Sequence, residues 1–168
     1  FILIAAMNPC PCGHFPDRSR CRCTDGQITR YLQKVSGPML DRIDICVEAS
    51  PITYGDIRSS GNNESSREIR ARVEQARKIQ GERFAGENIR YNGEMSGRHI
   101  RKFCWLGREE EKFMEEIFKK LALSARMHDR ILKVARTTAD LAEEEKIRLA
   151  DLCEAVSYVK SRDKFWGN

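Results

Sequence analysis

Four of the seven cysteines in this 168-residue chain fall as Cys10-x-Cys12, then eight residues, then Cys21-x-Cys23. The same stretch holds Pro9, Pro11, Gly13 and Pro16, which break both helix and strand and leave a compact loop or knuckle. Four closely spaced thiols are the soft, tetrahedral donor set that zinc prefers, and a loop too short for its own core gains order from such an ion. Free thiols in a loop, redox chemistry and other metals stay open. Cys-x-Cys is less usual than Cys-x2-Cys, and His14 is a competing ligand. The odd cysteine count argues against a disulfide framework, and four thiolates would leave no open position for a catalytic metal.

The remaining composition is that of an ordinary globular protein, 40% hydrophobic and 33% charged, with room for one real core or two small ones. Its net charge of +5 permits a nucleic-acid or nucleotide partner, although mixed solvated helix faces account for most such biases. The longest apolar run, Phe1 to Met7, falls far short of the ~20 residues that cross a bilayer and lacks a basic leader. The chain therefore reads as cytoplasmic, with no membrane partner.

That apolar run, without polar alternation, reads as a strand covered on both faces in a parallel sheet. The second strand candidate is Asp44 to Ala49, where Ile43, Ile45 and Val47 alternate with polar residues. With so few strands, the sheet is expected to be truncated and the chain to begin in mid-domain. Between them, Thr24 to Val35 reads as a helix ended by Gly37-Pro38. Ser50 to Asn63 carries the strongest linker signal, placing a domain boundary at about residue 60. Beyond it the pattern is helical: Ser65 to Phe84 with Ile69, Val73, Ala76 and Ile79 as its apolar stripe, then Ser96 to Trp105, Arg108 to Leu121, Ala125 to Glu143 and Leu149 to Val159. Met95, Phe103, Trp105, Phe113, Met114, Ile117 and Phe118 read as bundle core, and the lone His99 and His128 carry no assigned role. Phe165 and Trp166 either pack the tail back or mark a contact elsewhere. The fold class is mainly α: a helical bundle preceded by a truncated α/β piece with a cysteine-rich knuckle.

Three further residues admit a functional reading. Asn8 follows the first strand directly, at the sheet edge where α/β proteins bind ligands; by spacing alone, an Asn-Pro turn is the commoner explanation. Arg42 lies between Leu40 and Ile43 with Asp41 and Asp44 close by. That arrangement suits a surface ion pair, and it can also present a guanidinium to a neighbouring subunit's phosphate. Arg126, Arg130, Lys133 and Thr137 fall within about 60° of one another on their helix. This is usually a solvated face, but Arg126 occupies the first turn, where a helix N-terminus favours anions.

AAMNPCPCG at 5–13, the cysteines at 21 and 23, VSGPMLDRIDICVE at 35–48, SARMHDRILKVARTTADL at 124–141 and DKFW at 163–166 together resemble the magnesium-chelatase-related AAA+ ATPases of the bacterial ComM (YifB) type. The likeness runs through nearly the whole chain in order. It implies that Asn8 stands at the sensor 1 position, which orients the water attacking the ATP γ-phosphate, Arg42 at the arginine-finger position and Arg126 at sensor 2, at the start of a lid helix. It further implies ATP with Mg as cofactor, a hexameric ring of identical subunits, DNA as a partner in branch migration during competence and recombination, and a knuckle peculiar to this branch. Residues 1–60 would then be the end of the AAA+ α/β core, and 61–168 the helical lid.

The chain contains no G-x-x-x-x-G-K-[ST] and no apolar run ending in Asp-Glu, so the phosphate-cradling loop and Mg²⁺-holding acid of such enzymes are absent. The chain by itself is expected not to hydrolyse ATP. A reading from a different class also remains: a stand-alone zinc-knuckle adaptor that binds DNA or a protein partner through its basic helices.

Overall fold

The computed structural model describes residues 2–40, 42–50, 52–58 and 64–166, with backbone only at 56, 57 and 160–165. Two compact units emerge. The first comprises the chain up to Val47 together with the segment from Val159 onward; the second runs from Glu48 to Tyr158. The boundary expected at residue 60 lies outside the described residues.

In the first unit, helix α1 (Asp25–Leu32) starts where local chemistry says it should. Thr24 accepts from the Gln27 amide, and the Gln27 side chain returns a bond to the Thr24 amide, a capping box that satisfies two otherwise unpaired N–H groups. A single turn, α2 (Gly37–Leu40), follows. Ile28 and Leu32 of α1 bury against Cys10, with Phe15, Tyr31 and Trp166 packed around them. This cluster is a small core for a unit of its length.

The two expected strands are not formed. Residues 2–7 and 44–49 carry no strand, and Ile2 and Ile4 are 85% and 90% exposed. A strand exists only through ladder bonds to a neighbour, and no such neighbour occurs among the described residues. An apolar run specifies a preference for burial, and pairing has to come from elsewhere.

The second unit is helical throughout: α3 (Tyr54–Arg58), α4 (Ser66–Arg83), a 3₁₀ turn at Asn92–Glu94, α5 (Gly97–Phe103), α6 (Arg108–Lys120), α7 (Ala125–Leu141) and the start of α8 (Leu149–Trp166). Ser65 and Glu68 form a second capping box at the head of α4. Removing it by Ser65→Ala should lower stability by about 1 kcal/mol, read from the midpoint of urea unfolding followed by helical circular dichroism.

Helix α7 is central. It contacts α4, the 3₁₀ turn and α5, and it buries Ile131, Leu132, Ala135 and Ala139. The chain reverses on either side of it through left-handed residues, Ala122 (φ 46°) and Glu143 (φ 57°). After α6, Leu123 N–H bonds Phe118 O at 3.1 Å; after α7, Glu144 N–H bonds Ala139 O at 2.9 Å. Both are Schellman closures, which normally recruit glycine for the left-handed position.

Several side chains depart from the expected core. Trp105 is 64% exposed, and Phe118 also lies at the surface. On α4, Ile69 and Val73 are exposed while Ala76 and Gln80 are buried, so only the second half of the expected stripe packs. His99, given no role by sequence, closes the head of α5 by accepting the Ser96 amide at 3.1 Å.

No helix among the described residues is long and apolar enough to cross a membrane.

Candidate metal centre and nucleotide-site residues

The cysteine segment folds as a chain of tight turns. Gly13, at φ 82°, takes a left-handed conformation that glycine adopts without steric cost, and its N–H bonds Cys10 O at 3.0 Å. Asp17 then accepts from the Ser19 amide and hydroxyl at 3.0 and 2.6 Å, while Cys21 N–H bonds Asp17 O at 2.8 Å. These turns fold the second cysteine pair back onto the first. Arg18, ion-paired with Asp25, lies over the Phe15 ring at 5.1 Å and ties the loop to the start of α1.

The result brings all four sulfurs within 4.8 Å of one another. Cys10 Sγ stands 3.4 Å from Cys12 Sγ and 3.8 Å from Cys21 Sγ, and Cys12 and Cys21 are 3.6 Å apart. Cys10 is fully buried. Backbone amides turn towards the sulfurs: Phe15 N–H donates to Cys10 at 3.5 Å, and the His14 and Arg22 amides hold the Cys12 thiol down to about 5. Burial, reinforced by the neighbouring thiols, pushes Cys23 up to about 11. Four thiols this close cannot all ionise unless a cation joins them, and such a soft set could bind a metal. His14 is not part of the group. It lines, with Cys12, Ser19, Arg20 and Arg22, an open cavity of about 490 Å³ beside the cluster.

The other three residues singled out from sequence are placed separately. Asn8 is exposed, its amide lying over Gly13, where an added Cβ would meet its Nδ2 at 3.6 Å. Arg42 is exposed just after α2, and its Nη1 donates to Pro38 O at 2.8 Å. Asp41, one of its sequence neighbours, lies outside the described residues, and among the described residues Arg42 forms no ion pair. No hydrogen bond joins Asn8 to Arg42 among the described residues.

Arg126 belongs to the second unit, in the first turn of α7, where Ser124 Oγ accepts the Met127 amide at 3.2 Å. The stripe it heads is not the solvated face that periodicity suggests. Arg130 is buried, Lys133 Nζ donates to Gly93 O at 3.1 Å, and Thr137 accepts from Asn92 at 3.0 Å. Arg126 alone of the four stays exposed, without an ion pair among the described residues.

A buried polar network on α7 has no counterpart in the sequence reading. Asp140, fully buried, receives a two-pronged bond from Arg83 of α4, together with Arg136 Nε at 3.1 Å and Asn92 Nδ2 at 2.8 Å. Arg136 also donates to the carbonyls of Glu144 and Glu145 at 2.6 and 2.8 Å. One carboxylate thus joins α4, the 3₁₀ turn, α7 and the turn after it. The only local signal was the four-residue spacing of Arg136 and Asp140, which by itself suggests a surface pair.

Comparison with known proteins places this arrangement. The family model for the C-terminal part of the magnesium chelatase subunit ChlI matches residues 63–159, and the model for the ChlI subunit itself matches residues 1–57. The chain belongs to the magnesium chelatase ChlI family. Within it, the chain is 40% identical over 159 residues to the competence protein ComM of Haemophilus influenzae, covering 94% of this chain and 30% of that protein. It is 41% identical over 160 residues to the YifB proteins of Salmonella typhimurium and of Escherichia coli, again 94% of this chain and 30% of each relative. It is therefore a ComM/YifB-type magnesium-chelatase-like protein and a relative of AAA+-type ATPases. It spans about 30% of the length of these relatives.

Proposed function

We propose that this chain is the C-terminal part of a ComM/YifB-type AAA+ ATPase, supplying sensor 1 (Asn8), the arginine finger (Arg42) and sensor 2 (Arg126) to a Mg-ATP site. The observation that carries the reading is Arg126: an exposed guanidinium without an ion pair among the described residues, in the first turn of a 17-residue helix in which Arg130 and Arg136 are buried and Lys133 bonds a backbone carbonyl. A cation there, beside the unpaired N–H groups of a helix N-terminus, suits a phosphate. Arg42, exposed and held among the described residues by the Pro38 carbonyl alone, is placed to reach a neighbouring subunit.

In this reading residues 1–60 end the ATPase core and 61–168 form its lid. The bound Mg-ATP supplies the phosphoanhydride that is cleaved. Asn8 holds the attacking water through its amide, Arg42 neutralises developing charge on the transferred phosphoryl group from across a subunit interface, and Arg126 senses the same phosphates from the lid. The complete protein works as a cytoplasmic homo-oligomeric ring, a hexamer, that remodels DNA by branch migration. The four cysteines hold a structural zinc ion.

Two measurements test the nucleotide role. In the complete protein, Arg126→Ala should weaken ATP affinity by about 10- to 100-fold, the worth of a charge-assisted contact. The isolated 168-residue chain should show no turnover. Unchanged affinity in the variant, or hydrolysis by the isolated chain, would overturn the assignment.

The adaptor reading draws support from Arg20 and Arg22, exposed beside the cavity at the knuckle. Tight DNA binding by the isolated chain, weakening steeply with salt, would favour it.

A further inference from the structure

We infer that Cys10, Cys12, Cys21, Cys23 and Trp166 act as one site, in which a zinc ion held by four thiolates builds the platform on which the end of α8 docks. The inference rests on the structural zinc proposed above and adds what that ion does.

The choice of ion follows from distance and donor type. Zinc–thiolate bonds of about 2.3 Å in a tetrahedron put neighbouring sulfurs about 3.8 Å apart. The separations of 3.4, 3.6 and 3.8 Å among Cys10, Cys12 and Cys21, with all four sulfurs within 4.8 Å, fit one such centre. They are far longer than the ~2.05 Å of a disulfide, and too short for thiolates spread around a multi-iron cluster. Hard cations prefer oxygen donors. The resulting centre is formally dianionic, and its surroundings offset that charge: Arg18 and Arg20 lie on the loop between the ligand pairs, and Arg22 stands between Cys21 and Cys23. Amide donors such as Phe15 N–H already point at sulfur, the outer-shell arrangement that orients thiolate ligands.

Trp166 makes this centre more than a local staple. Its ring packs on the cluster of Cys10, Ile28 and Leu32, alongside Cys12, Phe15, Cys21, Cys23 and Tyr31. Its indole Nε1 donates to Leu32 O at 3.1 Å, across 134 residues of sequence. The cluster it packs against includes one ligand, Cys10, and is flanked by the other three, so gathering the sulfurs shapes the surface that receives the indole. An indole has a large apolar area to bury, and a loop that adds a single fully buried residue, Cys10, to its cluster needs the ion to hold its shape. Coupling of this kind is reciprocal: whatever factor the ion adds to docking of Trp166, docking adds to affinity for the ion.

The chain contains two tryptophans, and Trp105 is largely exposed. A Trp105→Phe background therefore leaves Trp166 as the only indole emitter. Zinc titrated into the reduced, metal-free full chain should bind one equivalent and move Trp166 emission to shorter wavelength with the same end point. Cobalt should give thiolate charge-transfer bands and intense tetrahedral d–d bands. Trp166→Phe should keep the one-to-one stoichiometry and cobalt spectrum while weakening zinc affinity by roughly tenfold. Cys21→Ser should abolish both the charge-transfer signature of a four-thiolate centre and the emission change. One-to-one zinc binding with Trp166 emission unmoved, or with Trp166→Phe at wild-type affinity, would overturn the coupling and leave the zinc site standing. Absence of stoichiometric uptake would overturn the zinc site itself, and the coupling with it.

Discussion

Asp140→Ala should destabilise the second unit by about 3–5 kcal/mol, the cost of stripping one partner from a buried ion pair. Arg83 and Arg136 converge on this carboxylate, and the Arg136 side chain is 3% exposed. Without Asp140, two cations face each other in a site that water barely reaches, and Asn92 loses an acceptor at 2.8 Å. Asp140→Asn should cost nearly as much, because an amide keeps the shape while adding donors where donors already converge. A cycle pairing Arg83→Met with Asp140→Asn separates the network from simple packing: the double variant should lose 0.5–3 kcal/mol less than the two single losses added together. Urea unfolding followed by helical circular dichroism measures all three. A loss below about 1 kcal/mol for Asp140→Ala, in the range of an exposed pair, would show that the buried network contributes little.

The network also marks where sequence reasoning stops. The helix starts near Thr24 and Ser65 were legible, although their capping boxes appear only in the structure, and so was the cysteine cluster, whose spacing lets the four sulfurs meet. Helix periodicity grouped Arg126, Arg130, Lys133 and Thr137 on one stripe of α7, but it cannot say what a stripe meets. Lys133 finds its carbonyl at Gly93, 40 residues away, and Arg83 finds Asp140 across 57. A stripe that looked solvated is therefore largely covered, with Arg126 left outside. The apolar run at residues 2–7 misled for a related reason: hydrophobicity fixes a wish for burial, while a strand needs partners that the described residues do not provide. Trp166 was ambiguous in sequence, because only its contact across 134 residues shows that it packs back onto the end of α1 and the cluster there.

For the nucleotide role, the larger expected effect belongs to Arg42. An arginine finger contributes about 10³–10⁵ in turnover, by placing fixed positive charge where charge develops on the phosphoryl group. Its loss should leave folding untouched. Arg42 is exposed, its guanidinium bonds only a nearby carbonyl in the described structure, and such surface changes usually stay within about 0.5 kcal/mol. Arg42→Lys should not rescue, since an ammonium lacks the planar fork that matches phosphate oxygens.

ATP turnover by the complete protein carrying Arg42→Ala, with nucleotide affinity measured on the same preparation, is the most direct test of the claim that this chain completes an ATP site. The expected result is turnover reduced by about 10³ or more with ATP still bound and oligomers still assembled. Turnover within about twofold of wild type, on protein that binds ATP normally, would contradict it.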